Sequence, residues 1–125
     1  MVTDSFTATE VSIPRGAPLP DFGAYGIEVS HQFSGKGYAK IFNVPAGVVI
    51  GQHRHKMGHD SHLILGSVVV TAYGQRKQYN APAVIHIPAL EAHQIDAVTD
   101  CLWACVWPDV DGVTDPEQID HEVIA

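Results

Sequence analysis

The stretch GVVIGQHRHKMGHDSHLILG, residues 47–66, decides how the whole chain is read. It opens on a β-branched run, places His53 and His55 two residues apart, and breaks at Lys56-Met57-Gly58. It then resumes with His59, ends in Leu63-Ile64-Leu65 and closes on Gly66. Residues two apart on a strand share a face, so His53 and His55 project together. The break reads as a tight turn, after which His59 begins an antiparallel partner strand beside the first two. Three imidazoles converge on one spot.

Outward from this stretch, helical periodicity is nearly absent. Apolar and β-branched runs are cut by Gly, Pro or Asn every few residues, which is an all-β pattern. Before the histidines it predicts strands over Ile27–Phe33, Tyr38–Val44 and Val48–His55. After them come His59–Leu65, Ser67–Tyr73, Arg76–Tyr79, Ala83–Ile87, Ala92–Val98 and Leu102–Trp107. So many short strands in one domain fit a sandwich or a jelly roll. Residues 1–24, rich in Thr, Ser, Pro and Gly, read as an N-terminal arm with one short strand at Glu10–Ile13. The arm covers a sheet edge or reaches a neighbouring subunit. Residues 25–125 form the single domain. Thr114-Asp115-Pro116-Glu117 carries a cap, a first-turn proline and an acid, predicting at most a short helical turn through Gln118–Ile119.

Bulk properties exclude several classes. The chain has 125 residues, enough for one core. A net charge of −7, with no cluster among the seven basic residues, counts against nucleic acid. The late acidic residues, from Asp96 to Glu122, read as solvated surface. Cys101 and Cys105 on one strand are roughly 13 Å apart at the usual rise, too far for a disulfide. Free thiols, no leader-like segment and no apolar membrane span give a cytoplasmic expectation.

The histidine spacing resembles the first cupin motif, with its Gly, His-x-His and closing Gly, and with His59 standing where the motif has Glu. Pro88-Ala89-Leu90-Glu91-Ala92-His93 resembles the second motif and keeps its Pro and His. Leu90 replaces that motif's Gly, and Ala97 its closing Asn. The resemblance covers about residues 38–107. It implies a cupin jelly-roll barrel with one divalent ion held by His53, His55, His59 and His93, as in four-histidine cupins. It also implies two neighbouring open positions on the ion. Imidazole ligands leave Mn, Fe, Ni, Zn and Cu open.

Replacing Glu by His leaves the ion at +2, which favours an anionic guest. Leu63, Leu65, Ile95 and Phe42 or Trp103 are the expected apolar walls. His62 falls on the opposite face, and His31 and His121 read as surface. His86 is left open by its register. Trp103 and Trp107 read as a core and an edge aromatic rather than a substrate platform. No catalytic acid or base is evident. The leading expectation is an oxygenase for a small anionic molecule. The alternatives are a metal-dependent isomerase or lyase, or a non-catalytic metal-binding accessory or sensor. A homodimer is expected through sheet-to-sheet contact, with the arm pairing across it, because bare strand edges invite association.

Overall fold

Alternating side chains and Gly-rich breaks fold here as ten strands among the described residues. The computed structural model describes residues 9–11, 13, 21–56, 58–110 and 115. The strands are β1 (Thr9–Val11), β2 (Glu28–Ser34), β3 (Gly37–Val44), β4 (Val48–His53) and β5 (His59–Leu65). They continue as β6 (Ser67–Ala72), β7 (Gln75–Asn80), β8 (Ala83–Ile87), β9 (His93–Ala97) and β10 (Cys101–Trp107). A 3₁₀ turn, Phe22–Tyr25, precedes β2, with the Asp21 side chain accepting from the Gly23 amide. The predicted turn at Gln118–Ile119 and His121 lie outside the described residues.

Two five-stranded sheets result, ordered β1-β4-β9-β6-β7 and β2-β3-β10-β5-β8. This is an all-β jelly roll. Side chains of one parity from each sheet meet in a shared core that includes Val11, Ile50, Val68, Leu63, Trp103 and Ile87. Burying one such aliphatic side chain contributes roughly 1.5–3 kcal/mol, so the strand alternation is also the energetic basis of the fold.

Inward positions of the second sheet form cross-strand rows. Tyr38 faces Trp107, and Lys40 faces Cys105, which faces Ser61, which faces Ile85. Phe42, Trp103, Leu63 and Ala83 form the next row. The row layout places the histidine end beside Trp107 and fills the far end with hydrocarbon.

Three expectations change. β5 is not the hairpin partner of β4: β4 pairs with β1 and β9, whereas β5 pairs with β10 and β8 in the other sheet. After His53 the chain leaves its sheet, and the His55 carbonyl accepts from the Leu90 amide at 2.7 Å, which fastens this crossing to the loop before β9. The arm's strand, β1, runs parallel to β4 of the same chain, with Val11 opposite Ile50, and so covers that edge within the chain. Leu65 is 62% exposed rather than a wall, because the β10–β5 register shifts between Leu102 and Trp103 and the alternation breaks before the strand ends.

Gly66, which closes the first motif, is structurally required. Its φ is +89°, and a Cβ there would strike the Asp100 carbonyl oxygen and sit 2.9 Å from Cys101 Cβ. No helix among the described residues is long and apolar enough to cross a membrane.

Candidate metal centre

Strict alternation would put His53, three residues after inward Ile50, on the outer face of β4. A bulge prevents this. Ile50 pairs with Ile95 and His53 with His93, with a register shift between them, so one extra residue on β4 returns His53 to the interior. Glycine at position 51 suits such a bulge. His55 follows on the crossing segment, and His93 opens β9. The ligating nitrogens of His53, His55 and His93 all lie within 4.8 Å of one another.

Two of these rings are aimed by the backbone. His53 Nδ1–H donates to the Gly51 carbonyl at 2.8 Å, and His93 Nδ1–H donates to the Glu91 carbonyl at 3.0 Å. Each bond fixes the tautomer that leaves the Nε2 lone pair free. Outer partners commonly orient metal-ligating histidines in this way.

His59 lies alongside the trio. Its ring centroid is 4.5 Å from that of His55 and 5.9 Å from that of His93, and it stacks on Trp107 at 4.8 Å. Its Nε2 shares a hydrogen bond with Ser61 Oγ at 3.1 Å. The fourth sequence candidate is therefore adjacent to the three-histidine cluster, with one nitrogen engaged by a neighbouring hydroxyl.

The interior suits a cation here. Both ring nitrogens of His55 and Nδ1 of His59 are buried without a hydrogen-bond partner. An unsatisfied buried polar atom costs about 1–3 kcal/mol, which a bound divalent ion offsets by accepting the lone pair. Burial, reinforced by neighbouring histidines, also keeps the rings unprotonated. It lowers His53 to about 3 and His59 to about 4, and pushes His55 and His93 down as well. Neutral imidazoles are the form that binds metal.

The other sequence candidates sort by face. His62, on the outer parity of β5, is half-buried. His86 points outward, with Nδ1 2.9 Å from Asp60 Oδ1 and its side chain 67% exposed. His31 is exposed, with Nδ1 2.7 Å from the Tyr38 hydroxyl. Trp103 is core, and Trp107 packs against His55 and His59 rather than at an edge. Both cysteines are free and buried, and burial raises each thiol to about 11. Lys40 is buried on the inward parity of β3, between Tyr38 and Phe42.

Leu90 stands at the motif's glycine position and has φ +64°, the left-handed conformation that glycine adopts freely.

Solved structures share this architecture. A cupin superfamily protein from Desulfitobacterium hafniense DCB-2 matches with TM-score 0.60 and 16% identity, over 75% of this chain and 92% of that one. A predicted oxalate decarboxylase from Thermotoga maritima matches with TM-score 0.58 and 24% identity, over 64% of this chain and 77% of that one. A protein from Methylibium petroleiphilum PM1, proposed as an acetylacetone dioxygenase, matches with TM-score 0.54 and 17% identity, over 65% and 60%. No family profile and no curated protein matches the sequence. The chain has the cupin fold, and its histidine cluster has the composition of a metal site.

Proposed function

We propose that the chain is a mononuclear metalloprotein in which His53, His55, His59 and His93 hold one divalent ion, and that it acts as an oxygenase on a small anionic organic molecule. The observation that carries this reading is the set of buried ring nitrogens without partners, beside two rings whose Nε2 lone pairs are pre-aimed. His59 joins the set by exchanging its hydrogen bond with Ser61 for the ion, or by using Nδ1.

When bound, the ion supplies Lewis acidity and an attachment point for substrate. The chain's residues supply the rest. Four neutral imidazoles add no charge, so the ion keeps +2 and favours an anion. Trp107, Leu63, Ile95 and Phe42 exclude water and strengthen that attraction. The likeness to the protein proposed as an acetylacetone dioxygenase supports the oxygenase reading.

A second reading is a metal-dependent lyase or isomerase, supported by the likeness to the predicted oxalate decarboxylase. Elemental analysis of untagged protein, followed by oxygen uptake with candidate β-dicarbonyl and 2-oxo acids, separates the two. Oxygen consumption with a redox-active ion supports the oxygenase. Turnover without oxygen and with any divalent ion supports the lyase. Protein that stays metal-free after exposure to Mn, Fe, Ni, Zn and Cu overturns both.

The same reading includes a homodimer formed by sheet-to-sheet contact. Ile64 and Val84, 45% and 63% exposed on the outer parity of β5 and β8, supply apolar surface for it. Light scattering that gives a monomer at micromolar concentration refutes this part.

A further inference from the structure

The inward parity of β5 carries a hydroxyl between an imidazole and a leucine. Ser61 follows His59 by two residues, precedes Leu63 by two, and is 0% exposed. A hydroxyl buried so completely needs partners for its proton and for its oxygen. That oxygen lies 3.1 Å from His59 Nε2. It lies 4.0 Å from Sγ of Cys105, the residue that faces Ser61 across the β5–β10 pairing.

Two proton arrangements satisfy these contacts. In the first, Ser61 donates to Nε2, and the neutral ring carries its own proton on Nδ1. Nδ1 is buried without a hydrogen-bond partner, so this arrangement strands a buried donor. In the second, His59 Nε2–H donates to the Ser61 oxygen, and the Ser61 proton turns to the Cys105 sulfur. Nδ1 then holds a lone pair, which a cation satisfies. His53 and His93 are set in the same manner, each giving one ring N–H to a fixed oxygen and keeping a lone pair on the other nitrogen. The His59 ring lies against those of His55 and His93, with centroids 4.5 Å and 5.9 Å away.

We propose that Ser61 is the positioning residue of the fourth ligand. It accepts from His59 Nε2–H, so that His59 offers the ion its Nδ1 while His53 and His93 offer Nε2. This rests on the metal-site reading and deepens it. Ser61 does for His59 what the Gly51 and Glu91 carbonyls do for the other two rings. Cys105 completes the arrangement by taking the serine proton and leaving the serine oxygen free to accept.

The test reads the ring nitrogens of zinc-loaded protein directly. Long-range proton–nitrogen correlation spectra of histidine labelled with nitrogen-15 distinguish a protonated ring nitrogen from a metal-bound one. In the parent, His59 is expected to be protonated at Nε2 and zinc-bound at Nδ1, the reverse of His53 and His93. Ser61→Ala is expected to weaken zinc about tenfold in competition with a chromophoric chelator. Ser61→Thr keeps the hydroxyl and is expected to return zinc affinity to within about threefold of the parent. Zinc held by His59 through Nε2 in the parent overturns the proposal and leaves the four-histidine reading standing. A Ser61→Ala zinc affinity within about twofold of the parent does the same. A His59 ring with neither nitrogen on zinc overturns the proposal and leaves the ion to His53, His55 and His93. A parent that takes no zinc overturns the metal reading itself. If Ser61→Ala fails to fold, the parent spectrum still decides which nitrogen His59 uses.

Discussion

The two faces of β5 and β8 use the same residue type in opposite ways. Inward, His59 is 2% exposed, stacked on Trp107 and bonded to Ser61. Outward, one step along the chain, Asp60 meets His86 in a pair whose side chains are 53% and 67% exposed. The inner histidine is kept neutral by burial, whereas the outer one has a carboxylate and water around it. Histidine thus acquires its role from strand parity rather than from composition.

Acid should expose this difference most strongly. In the metal-free protein, His59 has a folded value near 4 against 6.5 when exposed, so between these values the unfolded chain binds the extra proton. Its contribution to stability is complete above 6.5 and is lost as pH falls toward 4. At pH 5 the loss from His59 alone is about 2 kcal/mol. His53, His55 and His93 add in the same direction. Urea titrations at pH 7.5 and pH 5 should show the midpoint falling. An unchanged midpoint would mean the rings are not sequestered.

Removing one inner ring comes next. His55→Ala should weaken metal binding by about a hundredfold in competition with a chromophoric chelator, since a ligand bond disappears. The same substitution at His62, on the outer parity, should leave metal affinity unchanged.

Smaller effects sharpen the comparison further. Leu90→Gly should stabilise the fold by about 1 kcal/mol, because a non-glycine residue at φ +64° is strained and Leu90 is 58% exposed. Thermal melts that show no gain would mean the leucine side chain offsets that strain by packing. His86→Ala should change stability by less than about 0.5 kcal/mol, the usual scale for an exposed ion pair. A larger loss in the melt would give the outer pair a structural role.

Much of this was readable in the residues. β5 and β8 match the predicted ranges to the residue, because β-branched alternation bounded by Gly66 and by Pro82 and Pro88 leaves little freedom. The gathering of His53, His55 and His59 was legible from spacing, and His93 came from the resemblance to the second motif. Three features were not. The bulge that aims His53 is a property of the β4–β9 pairing, which one strand's sequence does not contain. The crossing of β5 into the other sheet was hidden because a short break such as 56–58 reads as a hairpin turn by itself, and the bond from Leu90 to His55 that accompanies the crossing is long-range. The outward turn of Leu65 arises from the register shift against β10.

The carbonyl anchors on His53 and His93 have a thermodynamic consequence. Each ring is bonded two residues back within its own segment, to Gly51 and to Glu91, and is already immobile before any ion arrives. Freezing a side chain on binding costs about 0.5–1.5 kcal/mol, a cost these two rings have already met during folding. The gain is the same for every divalent ion, so it deepens affinity without creating preference. Under the metal reading proposed above, copper would then bind most tightly along the Irving–Williams order, and the ion held in the cell would be set by which one is left free.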